Sequence, residues 1–178
     1  MDEQVVVYDC VSRLRKYTYF SVLDVDEFLM SRIRPRHDYK ALMKRLKNDY
    51  PSAGGFMFQT CLFFTDWNKT SDVSDIVVDQ YTIRTMPVWD RTKSVLITDR
   101  VLPSSIWTHG FTSRTKYYRR KITSKVAVIN HYRKCRNEWM KNGKCLPQLN
   151  TYTDIAMKRV IAMYGDKIRH VRNITIRG

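Results

Sequence analysis

The chain has 178 residues, of which 43% are hydrophobic and 28% charged, a length that suits one domain and an apolar content that excludes a disordered chain. Thirty-two Lys and Arg against 17 Asp and Glu give a net charge of +15, which favours anionic partners without choosing among nucleic acid, acidic lipid, acidic polysaccharide and nucleotide phosphates. No run approaches the roughly 20 apolar residues that span a bilayer, and no signal-peptide pattern opens the chain.

Taken in chain order, residues 3–17 place Val7, Cys10, Val11 and Leu14 at helical spacing. Residues 19–23 are apolar and β-rich, and acids follow at once. Residues 38–50 repeat the helical pattern at Tyr39, Leu42, Met43, Leu46 and Tyr50, with Asp38 placed to cap the helix. Pro51 to Gly55 reads as a turn, and FMFQTCLFF after it as a strand. Strands are also expected over 76–84, 94–98 and 125–131. A helix is expected over 151–164, with Ile155, Val160 and Met163 on its buried side, and a last strand over 168–176. The pattern predicts one α/β domain, residues 1–178, with a mixed sheet flanked by helices.

Two stretches concentrate basic charge, Arg114 to Arg120 and Arg133 to Arg136. Each is equally well a solvated face or a functional patch. Cys10, Cys61, Cys135 and Cys145 show no CxxC spacing, which argues against zinc. They are buried thiols, or disulfides if the protein is secreted or lumenal. The sequons at Asn68 and Asn173 fit a secretory glycoprotein but recur by chance.

The most informative segment is Ser21-Val22-Leu23-Asp24-Val25-Asp26-Glu27-Phe28-Leu29. An apolar strand ends in clustered carboxylates, at the end of a strand where α/β proteins tend to place ligands. Such clustering is unfavourable unless a positive group neutralises it, and magnesium or manganese does so with oxygen ligands while bridging to phosphate. On an extended backbone Asp24 and Asp26 share a side, so they are the expected metal pair. Glu27 would then bond nearby backbone or an arginine. The competing structural account is a helix N-terminus, with the acids capping a helix that starts at Phe28.

Tyr8-Asp9-Cys10-Val11, Tyr19 to Leu23 and Asp24 to Leu29 together resemble glycosyltransferase family 92, in which a helix with a similar Asp-Cys pair leads into a strand and an Asp-x-Asp-Glu loop. Ile129-Asn130-His131-Tyr132-Arg133, followed by Glu138-Trp139-Met140-Lys141, is similar to that family's His-Tyr-Arg segment. Lys93 to His109 looks like its intervening stretch, and the match runs from about residue 4 to about residue 145. The resemblance implies a GT-A fold, and a UDP-sugar donor, often UDP-galactose. It also implies a divalent cation (Mn2+ or Mg2+), hexose transfer to a glycan acceptor with inversion, and a Golgi type II membrane address. Asp24 and Asp26 match the metal loop. His131 and His109 are candidates for a third metal or phosphate contact, or are hydrogen-bonded sheet histidines. Arg133 and Lys141 would face the diphosphate, or solvent.

Only 23 residues precede Asp24, fewer than the opening nucleotide-binding strands of a GT-A domain need, so the sequence is expected to be truncated at its N-terminus. An inverting transfer needs a general base. Asp66, Asp72, Asp75 and Asp90 are the candidates, and the sequence does not choose among them. Two other readings compete. One is an inactive domain of the same fold that binds a glycan or stabilises a partner. The other is a nucleic-acid binder using the basic, tyrosine-rich stretch, which no helix-turn-helix, zinc-finger or RNP pattern supports.

Overall fold

The computed structural model describes residues 3–34, 38–67, 69–70, 76–143, 145 and 151–162. In chain order the elements are α1 (Glu3–Arg13), β1 (Tyr19–Ser21), β2 (Glu27–Ser31), α2 (Tyr39–Asp49), β3 (Ala53–Phe64), α3 (Val77–Gln80), β4 (Ile83–Arg84), β5 (Val88–Ile97), β6 (Tyr118–Ile122), β7 (Ala127–Arg133), α4 (Asn137–Lys141) and β8 (Tyr152–Thr153). They fall into two compact units, Met1–Cys61 with Pro87–His131, and Leu62–Met86 with Tyr132–Gly178.

The fold is mixed α/β, as expected. The main sheet has the order β1-β5-β3-β7-β2, with β6 beside β3. β1–β5, β5–β3 and β7–β2 pair antiparallel, and β6 runs parallel to β3. Residues 22–26 join the two ends of this order, β1 and β2. A flat sheet would set those ends roughly 19 Å apart, four strand spacings of about 4.8 Å. The connection instead doubles back in a turn closed by Glu27 N–H to the Asp24 carbonyl at 3.0 Å, so the sheet curls.

Both faces of this sheet are covered by a helix. Asp38 caps α2 as expected, accepting from Ala41 N–H at 2.9 Å, and α2 buries Leu42, Met43 and Leu46. They pack with Phe56, Phe58, Val95, Ile97 and Ile129, each fully buried apolar side chain contributing about 1.5–3 kcal/mol. On the alternate positions Phe20 and Leu96 face the other way and pack against Val7 and Val11 of α1. This is the GT-A-like arrangement of a mixed sheet between helices.

Several local expectations are corrected. The turn at 51–55 is short, because β3 already begins at Ala53. A Cβ on Gly55 would lie 2.7 Å from Phe111 Cζ and 3.0 Å from the Val95 carbonyl, so this glycine serves a close strand approach rather than a turn. The strand expected over 94–98 starts at Val88 instead, and the basic stretch around Tyr118 contributes β6. Of residues 76–84, Val77–Gln80 form a helical turn and only Ile83–Arg84 a strand.

In the second unit β4 pairs antiparallel with β8, and Arg84 Nε meets Asp154 Oδ2 at 2.7 Å. The helix expected over 151–164 starts later, with helical residues from 156 to 162, and Ile155 is 50% exposed rather than buried. Asp154 explains the late start: Ala156 N–H donates to its Oδ1 at 3.0 Å, so Asp154 acts as a cap. Met163 and the expected strand at 168–176 lie outside the described residues. Phe63 stacks on Tyr132 at 4.3 Å, and Phe64 meets Trp67 and Trp139 edge-on.

Cys135 and Cys145 form a disulfide, while Cys10 and Cys61 are not disulfide-bonded. Trp67 Nε1–H donates to the Cys145 carbonyl at 2.7 Å, so the bridge ties this aromatic cluster to the following loop. Closing so short a loop restrains the unfolded chain by about 2–3 kcal/mol. Cys135→Ser/Cys145→Ser is expected to lose that amount in urea unfolding followed by tryptophan fluorescence. Unchanged stability would show that the aromatic cluster holds the loop without the bridge.

Candidate active site

The acidic segment forms the turn between β1 and β2, and all its contacts fall within the first unit. Residue Phe28 continues into β2 rather than into a helix, so the capping account of the acids is overturned. The reason lies in the register: Glu27 pairs with His131 and Phe28 with Asn130, and β7 takes up this backbone as a strand.

Beneath the turn lies a buried charge cluster. Lys93 is fully buried, and its Nζ sits 3.1 Å from Asp24 Oδ2 and 3.1 Å from Glu27 Oε2. The Glu27 side chain is 1% exposed. Its Oε2 also accepts from Asp24 N–H at 3.0 Å. Glu27 therefore bonds nearby backbone, as expected, but its cationic partner is a lysine rather than an arginine. On its other side Glu27 Oε1 faces His131 Nδ1 at 3.3 Å, without the alignment of a hydrogen bond. His131 Nε2 faces Asp26 Oδ2 at 3.4 Å.

The alternation argument for Asp24 and Asp26 does not apply, because residues 25 and 26 form a turn rather than extended strand. Asp24 leans toward Lys93 and Asp26 toward His131, one on each side of Glu27. Their side chains remain 53% and 40% exposed. The turn thus presents two accessible carboxylates above a buried lysine, glutamate and histidine.

Other candidates lie elsewhere. His109 Nδ1 lies 3.2 Å from the Thr92 carbonyl, consistent with the imidazole donating to it. No contact between His109 and the acidic turn occurs among the described residues. Arg133 and Lys141 belong to the second unit. The Arg133 guanidinium lies over the Trp139 ring at 5.1 Å, and Lys141 is exposed at the end of α4. Asp66 accepts from the Cys135 backbone N–H, Asp90 is exposed on β5, and Asp72 and Asp75 fall outside the described residues.

The residue that sequence reasoning missed is Lys93. The signal was available: in Lys93-Ser94-Val95-Leu96-Ile97 the lysine shares a face with Val95 and Ile97, and both belong to the core under α2. A lysine on that face needs a buried carboxylate.

Among the described residues no three His, Cys, Asp or Glu side chains come together as a metal-holding group. A cation at this turn would therefore take at most two carboxylates from the protein. That is sufficient for a magnesium-like ion, which draws its remaining ligands from substrate phosphate and water.

A curled mixed sheet between helices, carrying an acidic turn at the end of a strand, is the framework of a GT-A-like glycosyltransferase. The family model for Glycosyltransferase family 92 matches residues 1–171. The chain belongs to that family and is by membership a glycosyltransferase. No curated protein matches it. Among the described residues no helix is long and apolar enough to cross a membrane.

Proposed function

We infer that the chain transfers a hexose, galactose by the family's habit, from a UDP-sugar to a glycan acceptor with inversion, and that the donor diphosphate sits at the Asp24–Asp26 turn. The observation that carries this reading is the division within the turn. Glu27 is buried on Lys93 and His131, while Asp24 and Asp26 stay accessible. Asp24 and Asp26 also contact Lys93 and His131, yet their side chains stay 53% and 40% exposed, so the turn keeps carboxylate oxygens open to a ligand.

In this reading Asp24 and Asp26 hold Mn2+ or Mg2+ against the donor. A bound cation supplies charge stabilisation for the departing diphosphate. The chain's own contribution is rigidity. Glu27 fixes Asp24 through its backbone N–H, and His131 stands behind Asp26. Of the two imidazoles only His131 adjoins the turn among the described residues, and its place behind Asp26 suits it to orient that carboxylate. The Cys135–Cys145 bridge supports an oxidising compartment such as the Golgi lumen.

Calorimetry with UDP-galactose, with and without Mn2+, tests the reading on the chain and on its Asp24→Ala/Asp26→Ala variant. Metal-dependent binding that the variant loses is the expected result. Binding that ignores both metal and variant would move the donor site elsewhere. No binding by a folded chain would favour the second reading, an inactive domain that binds a glycan or stabilises a partner.

A further inference from the structure

The core under α2 is unevenly sealed. Its members on β3, β6 and β7 are 0–2% exposed, whereas Leu29 and Val95 keep 8% and Met43 keeps 5%. Those three side chains line one cavity of about 590 Å³, walled by β1, β2, β5 and α2 within the first unit. This size lies within the usual range for small-molecule sites. The wall is chiefly apolar, and a sugar chain would leave its hydroxyls unpaired there, which is unfavourable.

The rim differs in chemistry from the wall. Lys40, Lys44 and Lys47 border the cavity from α2, at spacings that put them on one helix face. Lys40 and Lys44 are exposed and Lys47 is half-buried, so their stems can extend the apolar wall while the ammonium groups meet water. An open-sided apolar pocket bordered by three cations is complementary to a molecule with an apolar body and one anionic end.

We propose that this cavity binds a single-chain amphipathic anion, with its acyl chain against Leu29, Met43 and Val95 and its acidic head on Lys40, Lys44 and Lys47. The head is a carboxylate or a phosphate monoester, as in a free fatty acid or a lysophospholipid. The site is separate in chemistry from the acidic turn and does not depend on the donor reading.

The test is titration of the whole chain with oleate, with oleoyl lysophosphatidate and with oleyl alcohol, each below its critical micelle concentration. Saturable binding of either anion is expected, with the alcohol at least about tenfold weaker. The tighter of the two anions identifies the head group. Shortening the acyl chain is expected to weaken binding roughly tenfold for each two methylenes removed. Lys40→Gln/Lys44→Gln/Lys47→Gln, whose changes lie on the helix surface, is expected to weaken the anions about tenfold and leave the alcohol unchanged. Asp24→Ala/Asp26→Ala is expected to bind as the parent does, even if donor binding is lost. The proposal is overturned if neither anion saturates, or if the alcohol matches them and the triple variant binds normally. It is equally overturned if sedimentation shows a dimer that oleate does not dissociate, since a second copy would then cover the cavity.

Discussion

Lys93→Met is expected to destabilise the protein by about 3–5 kcal/mol, because it leaves the Glu27 carboxylate buried without its cation. The magnitude follows from burial. Lys93 is 0% exposed and Glu27 1%, so water cannot replace the lost partner. Glu27→Leu alone should cost a comparable amount by stranding Lys93. Lys93→Met/Glu27→Leu should recover most of the loss, since a matched pair of apolar residues removes both desolvation penalties together. Urea unfolding of the three variants measures this as a cycle. Additive losses would mean that the two charges are not coupled and that the 3.1 Å contact contributes nothing to stability. The variants also bear on function, because Glu27 Oε2 fixes the Asp24 backbone N–H at 3.0 Å. A turn that loses this anchor should bind donor more weakly even where the fold survives.

This cluster marks where the sequence was legible and where it was not. The acidic turn was visible because carboxylates clustered after an apolar strand need a positive group to neutralise them. Its geometry was not, because the side-chain alternation used to pair Asp24 with Asp26 belongs to extended backbone, and residues 25 and 26 turn. α1 and α2 were legible from local periodicity, down to the Asp38 cap. β2 was not, because Glu27 to Ser31 form a strand only by pairing with β7, about a hundred residues later in the chain. The same holds for β6, whose residues carry too much charge to read as a strand but find Ala53 to Phe58 beside them. Long-range pairing overrode local composition in both cases. Lys93 shows a third kind of loss. Its alternation with Val95 and Ile97 pointed inward, yet its partner could be found only by knowing that β5 and the Asp24 turn meet across a separation of 69 residues.

Asp24→Asn/Asp26→Asn is expected to reduce hexose transfer by about 10²–10³ or more, while changing stability by less than about 1 kcal/mol. The first figure follows if these carboxylates hold the charge that stabilises the departing diphosphate, a contribution of several kcal/mol to the transition state. The second follows from exposure: at 53% and 40% the two side chains are already solvated, and Glu27 remains to neutralise Lys93. This split separates the two layers of the site. Lys93 and Glu27 should lose stability and activity together, because they carry the turn. Asp24 and Asp26 should lose activity alone, because they are what the turn presents. Transfer rates with UDP-galactose and urea midpoints, measured on the same preparations, decide the matter. If the asparagine variant unfolds as easily as Lys93→Met, the outer carboxylates are structural. If it is stable and still transfers sugar at the parent rate, the diphosphate does not bind at this turn.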